Sequence, residues 1–295
     1  MKVLITGANG QLGQSFQSRT DLAGSRGIEL IFADRQQLDI TNSEAITQYM
    51  RRNPVDFIVN TAAYTAVDKA QDEPLQAALI NCDGPSNLAR YCAEHRCGLI
   101  HVSTDYVFDG NQSSPYSEED NASPLGVYGE TKRRGEVAVL EYFPEAIILR
   151  TSWVFSEFGN NFLKTMLRLA KDRDQISVVS DQWGAPTYAP HIAEAILGLI
   201  QCHARAGIYH FSGHEKTHWQ AFAREIFNIA GQQDTDFQAP KVLAISSDQY
   251  PTAVTRPLDS HLNTPKILQL LPDTLCDWRQ GIKQTLNALQ QVSSR

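Results

Sequence analysis

The first thirteen residues constrain this chain more than anything that follows. A short apolar run, Val3–Thr6, opens directly onto Gly7-Ala8-Asn9-Gly10-Gln11-Leu12-Gly13, with glycines three residues apart. Gly7 allows a tight turn, Gly10 lets backbone approach a pyrophosphate closely, and Gly13 lets the next helix pack tightly on the strand. A helix starting near Gly10 would turn free N–H groups and the positive end of its dipole toward phosphate. Alone, a glycine triplet is a weak signal. A strand before it and a helix after it, at the head of a repeating pattern, make it a dinucleotide-binding loop.

The repeat is visible downstream. Near-continuous apolar runs at Glu29–Asp34, Phe57–Ala63, Leu99–Phe108 and Ile147–Phe155 read as strands buried on both faces. Helical stretches fit between them: Thr41-Asn-Ser-Glu44, a capping-box pattern, to Arg52; Leu75 to His95; and Val127 to Tyr142. Alternating strands and helices predict an α/β fold, a Rossmann-type doubly wound parallel sheet, joined to a smaller α/β part. Past residue 155 the pattern loosens. Helices are expected over Asn161–Lys171, His191–Gln201 and Trp219–Ala230, a strand over Gly207–Phe211, and an irregular stretch over Gln238–Pro257. This divides the chain into a dinucleotide domain, residues 1–155, and a mainly substrate-binding part, residues 156–295, with late segments returning to cover the sheet.

With 26 basic against 33 acidic residues, the net charge of −7 leaves no basic surface for a nucleic-acid backbone. No apolar run approaches membrane-spanning length, and the five cysteines form no CxxC pair, so a cytoplasmic protein with reduced thiols is expected. Asp34 closes the second strand about 20 residues after Gly13, where an acid would hold the adenosine ribose hydroxyls. Arg35 beside it could meet a 2′-phosphate instead, and Asp39-Ile40 could flank the adenine. NADH and NADPH both remain open.

Tyr128-Gly-Glu-Thr-Lys132 puts a phenol and an ammonium at i and i+4 on one helical face. Free tyrosine, with a pKa of about 10, is a poor acid–base catalyst at neutral pH. A nearby Lys132 and an oxidised nicotinamide would both favour the phenolate. Tyr128 would donate a proton to a carbonyl oxygen as hydride reaches carbon, and Lys132 would also hold the nicotinamide ribose. A surface Tyr–Lys pair is the ordinary source of such spacing. Ser103-Thr104-Asp105 raises the case, because the end of a parallel strand lines the ligand crevice, where Thr104 can bond the substrate oxygen and tune Tyr128.

In this combination the chain resembles extended short-chain dehydrogenases that act on nucleotide sugars. More specific segments are Asn60-Thr-Ala-Ala-Tyr-Thr-Ala-Val-Asp-Lys-Ala70, Val102-Ser-Thr-Asp-Tyr-Val-Phe108, Arg150-Thr-Ser-Trp-Val154, Gly159-Asn-Asn-Phe162, Asp181-Gln-Trp-Gly-Ala-Pro-Thr187 and Arg256-Pro-Leu-Asp-Ser260. Along nearly the whole chain these are similar to the dTDP-4-dehydrorhamnose reductases. The resemblance implies reduction of the 4-keto group of dTDP-4-dehydro-β-L-rhamnose by NAD(P)H. It implies cofactor contacts from Gly10, Gln11, Leu12, Asp39, Ile40, Ala63, Tyr64 and Thr65, and substrate contacts from Thr104, Asp105 and Trp153. Arg256 becomes the candidate for the substrate diphosphate, since guanidinium suits phosphate geometry. Asn81 falls where relatives keep a structural or proton-relay asparagine.

Some relatives dimerise around a divalent metal held by acidic side chains; here the matching positions are Ser15 and Pro190, which makes such a metal doubtful while leaving a homodimer open. His210, His214 and His218 are spaced by four, but Ser212-Gly213 breaks any helix, so they read as scattered single histidines. No GxSxG or Cys–His arrangement suggests hydrolysis. Rival expectations are another nucleotide-sugar enzyme on the same scaffold, either a different ketoreductase or an epimerase, and a non-catalytic regulatory subunit. Dehydration is disfavoured by Tyr106, where a glutamate would be needed after Asp105.

Overall fold

The computed structural model describes residues 1–293. In chain order the strands are β1 (Lys2–Thr6), β2 (Glu29–Ala33), β3 (Phe57–Asn60), β4 (Gly98–Thr104), β5 (Ile147–Thr151), β6 (Val154–Phe155), β7 (Gln175–Val179), β8 (Trp183–Gly184), β9 (Thr187–Tyr188), β10 (Gly207–His210), β11 (Thr217–His218) and β12 (Lys241–Ile245). The α-helices are α1 (Gln11–Gln17), α2 (Thr20–Ser25), α3 (Ser43–Arg52), α4 (Val67–Asp72), α5 (Pro74–Ala78), α6 (Gly84–His95), α7 (Val127–Tyr142), α8 (Phe162–Ala170), α9 (Ala189–Gln201), α10 (Trp219–Gln233), α11 (Pro265–Leu270) and α12 (Trp278–Ser293).

Six strands form one parallel sheet in the order β10-β5-β4-β3-β1-β2. The chain leaves β1 toward β2 on one side and returns to β3 on the other, so the strand order reverses beside β1. Open α/β sheets bind ligands outside the carboxyl ends of their strands at such a point. One sheet face packs on α1 and α9 through Phe16, Ile192, Ile196 and Leu199; the other packs on α3, α6 and α7 through Ile46, Leu88, Ala89 and Val139. A separate core, with Phe155, Leu163, Phe222, Phe227 and Trp278 at its centre, binds α8, α10, α12 and the parallel β7–β12 pair. Among the described residues no helix is long and apolar enough to cross a membrane. All five cysteines are free thiols, and four of them are buried.

Several elements differ from the expectations above. The N-cap of α3 is Asn42, whose side chain accepts from the Ala45 N–H, while the Glu44 carboxylate accepts from Gln48; the capping box headed by Thr41 does not form. The helix expected over Leu75–His95 is broken by a π segment, Leu79–Asp83. Pro85 supplies the cause: it has no N–H for the Asn81 carbonyl four residues back, and its ring would collide with that oxygen, so the helix widens there. Gly135 on α7 accepts the displaced carbonyl, for a Cβ at that position would lie 2.1 Å from the Asn81 oxygen. The run Ile147–Phe155 is two strands rather than one, because Trp153 turns the chain with φ +46°. The stretch Gln238–Pro257 contains β12, whose partner β7 lies over 60 residues earlier in sequence.

Candidate active site

The sheet's carboxyl edge opens into one cleft of about 1360 Å³. Its wall carries Gly7, Gly10, Gln11, Leu12, Asp34, Asp39, Ile40, Ala63 and Thr65 together with Thr104, Asp105, Tyr128, Lys132 and Trp153. Gly7 sits at φ +65°, and a Cβ there would lie 2.8 Å from the Ala62 nitrogen, so only glycine makes this turn against the end of β3. Asp34 anchors its own loop: one carboxylate oxygen accepts from the N–H groups of Gln36 and Gln37, the other from the Asn9 amide. Arg35 lines the same cleft. Thr41 bonds Asp39 and holds its carboxyl below the usual range, against a smaller opposing effect of burial.

Three expected residues stand back from the cleft wall. Gly13 is a packing residue, since a Cβ there would lie 2.5 Å from the Gly7 carbonyl oxygen. Tyr64 points its hydroxyl at Glu73, 2.8 Å away. Arg256 pairs with Asp68 at 2.6 Å and lies over the Tyr106 ring, 5.9 Å from its centroid, with one terminal nitrogen buried and unpartnered. It is held by a carboxylate of α4 and does not itself line the cleft. Asn81 accepts from the Tyr64 N–H at 2.8 Å and donates to the Tyr64 carbonyl and to Thr131, clamping the 61–66 loop onto α7.

The catalytic group is assembled from β4 and α7. Tyr128, Lys132 and Glu136 recur every four residues and so share one helical face. Burial pushes the Tyr128 phenol up to about 12, with a hydrogen bond to Thr104 acting the other way and Asp105 adding to the rise. Lys132 is not among the groups that shift this phenol in the structure. Lys132 Nζ is engaged elsewhere, donating to the Val102 carbonyl at 2.7 Å and lying 3.3 Å from His101 Nε2. Burial lowers Lys132 itself to about 8, with Glu136 opposing. Asp105 is pushed up to about 6 by burial, against hydrogen bonds from Ser260 at 2.5 Å and from Thr104. Burial also raises Glu136, but Arg150, Ser103 and Arg133 outweigh it and leave the carboxylate below its usual range.

Several cleft residues escaped the sequence. Val67, Tyr106, Phe162 and Trp219 all line it. Trp153 and Trp219 stack with centroids 3.5 Å apart and planes 8° from parallel, and a Cβ on Gly184 would lie 2.7 Å from the Trp153 ring. Trp219 is 66 positions along the chain, so nothing local marks it. Thr151, beside Thr104 in the sheet register, had a signal in its place at a strand end; its hydroxyl is buried, unpartnered and on the cleft wall. The spaced histidines have separate tasks: His210 Nδ1 meets the Tyr116 carbonyl, His214 the Cys276 carbonyl, and His218 caps α10. Ser15 bonds back to the Gln11 carbonyl and Pro190 lies in the first turn of α9. Among the described residues no group of three or more His, Cys, Asp or Glu is placed to hold a metal. The residues do fit a dinucleotide: a glycine turn that no Cβ could enter, an acid at the end of β2, and an orphan hydroxyl beside Thr104.

Comparison with known proteins gives the same picture over the whole chain. The family model of the RmlD substrate binding domain matches residues 1–291. A dTDP-4-dehydrorhamnose reductase of Aggregatibacter actinomycetemcomitans is 42% identical over 287 residues, covering 96% of this chain and 97% of that protein. The crystal structure of a dTDP-4-dehydrorhamnose reductase from Clostridium acetobutylicum superposes with a TM-score of 0.90 at 36% identity, covering 98% of this chain and 100% of the other. That of the Bacillus anthracis dTDP-4-dehydrorhamnose reductase in complex with NADP gives 0.89 at 35% identity, covering 97% and 99%.

Proposed function

The chain belongs to the RmlD substrate binding domain family, and from that premise we propose that it is a dTDP-4-dehydrorhamnose reductase, forming dTDP-β-L-rhamnose in the last step of dTDP-rhamnose synthesis. One observation carries the reading beyond family membership: the phosphate-loop residues and the Thr104–Tyr128–Lys132 group line a single cleft.

NADPH or NADH would lie against Gly7–Leu12, Asp34, Asp39-Ile40 and Ala63–Thr65, and when bound it supplies the hydride. The protein's own groups do the rest. Burial keeps Tyr128 a neutral phenol at working pH, which is the form a proton donor to the 4-keto oxygen needs. Thr104, bonded to Tyr128, is placed to hold that oxygen against the donor. Lys132 sits one turn on to orient the nicotinamide ribose. The Trp153–Trp219 stack presents a flat apolar wall suited to the deoxy face of the sugar. Arg256, held to Asp68 through one terminal nitrogen, has on this reading the other left to offer the substrate diphosphate. Residues 1–155 would then serve mainly the dinucleotide, with Thr104, Tyr128 and Trp153 reaching the sugar from that part, and residues 156–295 mainly the dTDP-sugar. On the same reading the enzyme works in the cytoplasm without nucleic-acid or membrane partners, and a homodimer is open to it.

The test is consumption of NADPH and of NADH with dTDP-4-dehydrorhamnose, set beside other 4-keto nucleotide sugars. Stoichiometric consumption with preference for the rhamnose precursor is expected. Conversion without net consumption would indicate an epimerase, and no turnover of any sugar would indicate a non-catalytic protein.

A further inference from the structure

A line of four buried polar residues runs beneath the cleft from the phosphate loop to the Tyr–Lys pair. Thr6, Asn60 and His101 are cross-strand neighbours on β1, β3 and β4, and Lys132 reaches the end of their row from α7. None exposes more than 2% of its surface. Thr6 donates its hydroxyl to Asn60 Oδ1 at 2.7 Å. Asn60 Nδ2 lies 3.0 Å from His101 Nδ1, and His101 Nε2 lies 3.3 Å from Lys132 Nζ.

The proton positions along this line follow from one backbone group. The Ala62 N–H, which can only donate, points at Asn60 Oδ1 from 3.2 Å and fixes which end of the amide faces it. The Asn60 NH₂ therefore faces His101 and must donate to Nδ1. A neutral imidazole whose Nδ1 accepts carries its hydrogen on Nε2. His101 is neutral, because complete burial holds it well below its usual value. Its Nε2–H is then aimed at Lys132 Nζ. An ammonium has three hydrogens and no lone pair, so it cannot accept that bond, whereas an amine can accept it and still donate to the Val102 carbonyl.

We infer that His101, with its tautomer set by Asn60, is a positioning residue for Lys132 that opposes a proton on Nζ and keeps this lysine ready to exchange a proton near neutral pH. The inference rests on reading Lys132 as the lysine of the active site. Burial acts in the same direction. The surrounding charges do little to reverse it. Glu136, one turn on, is neutralised by Arg150 and Arg133; Tyr128, one turn back, is a neutral phenol with Asp105 beyond it. On the elements packed over α7, Asp68, Lys69, Asp72, Asp83 and Arg90 are all solvent-exposed.

The experiment is NMR of the ligand-free protein, reading the ¹⁵N shifts of the His101 ring and the pH titration of the Lys132 ¹³Cε signal. The wild type should show the hydrogen on Nε2 and a Lys132 midpoint well below that of free lysine. Asn60→Asp keeps both acceptor contacts to Thr6 and Ala62 but replaces the donor facing His101 with an acceptor. It should move the ring hydrogen to Nδ1, turn Nε2 into an acceptor, and raise the Lys132 midpoint by about one pH unit or more. A wild-type hydrogen on Nδ1, an ordinary lysine midpoint, or an Asn60→Asp protein with an unchanged midpoint would overturn the inference. Should the variant not fold, a wild-type hydrogen on Nδ1 or an ordinary lysine midpoint would still overturn the inference. Because no substrate or nucleotide is present, the result stands apart from the outcome of the reductase assay.

Discussion

Replacing Trp153 by alanine separates a substrate wall from a structural core. A fully buried tryptophan truncated to alanine costs about 3–5 kcal/mol. Trp153 is only partly buried, and its main protein contact is the face-to-face stack on Trp219, a kind of pair worth about 0.5–1.5 kcal/mol beyond its area. A destabilisation of about 1–2 kcal/mol is therefore expected, which for a chain of this size lowers Tm by roughly 2–3 °C. The backbone gives an internal control. At φ +46° any residue with a Cβ is strained, by about 1–2 kcal/mol, so Trp153→Gly should be more stable than Trp153→Ala, opposite to the usual order. The functional arm is kinetic: dinucleotide affinity should stay near normal while kcat/KM for the dTDP-sugar falls at least about tenfold, some 1.4 kcal/mol of transition-state binding. Calorimetry, nucleotide titration and steady-state kinetics on the two variants read all of this. A loss of 3 kcal/mol or more with unchanged KM would place Trp153 in the core and refute the argument.

Four further outcomes follow from the same geometry. Tyr128→Phe should bind NADPH normally yet lose about 10²–10⁴-fold in kcat, and a variant keeping most of its rate would take Tyr128 out of the chemistry. Glu136→Gln leaves Arg150 buried without a counter-charge and should destabilise by about 3–5 kcal/mol in urea unfolding, whereas Arg133→Ala, on a one-third exposed partner of the same carboxylate, should stay within about 1 kcal/mol. Asp105 is raised from 3.8 to about 6, so folding favours its protonated form; its contribution is complete below about pH 4 and is lost as pH rises through 6. Asp105→Asn should remove this slope, worth about 3 kcal/mol by the conversion of 1.36 kcal/mol per pKa unit, and matching pH–stability curves for both proteins would contradict it. Arg35→Ala should weaken NADPH more than NADH in nucleotide titrations, since only NADPH carries the 2′-phosphate, and equal losses would contradict that.

The sheet was legible because its signals are local. Doubly buried strands give continuous apolar runs such as Phe57–Asn60, and the turn after β1 needs glycine where a Cβ would strike Ala62. What escaped depends on partners distant in sequence. β12 is half-exposed and is a strand only because β7 pairs with it, and Trp219 enters the cleft because Trp153 turns through a left-handed conformation to meet it. Arg256 was assigned by its chemistry, since guanidinium fits phosphate, but chemistry could not reveal that Asp68, 188 positions earlier, already holds it.

The helix α7 shows how far a short motif reaches. A YxxxK spacing names two members of a stripe that the 3.6-residue period must continue, and the next position is Glu136, fully buried and held by two bonds from Arg150 at 2.8 Å. That ion pair is tied back to the catalytic strand, because Ser103, the residue before Thr104, donates to the same carboxylate at 2.6 Å. The stripe thus changes task within two turns, from proton donor to lysine to structural anchor, and the anchor fixes the strand that carries Thr104. Sequence alone stops at Lys132 because Glu136 acquires its meaning only when β5 brings Arg150 against it. With that contact, the rigidity of the site has a physical source: a buried carboxylate that cannot move without uncovering an unpaired guanidinium holds α7 and β4 in register beneath the cleft.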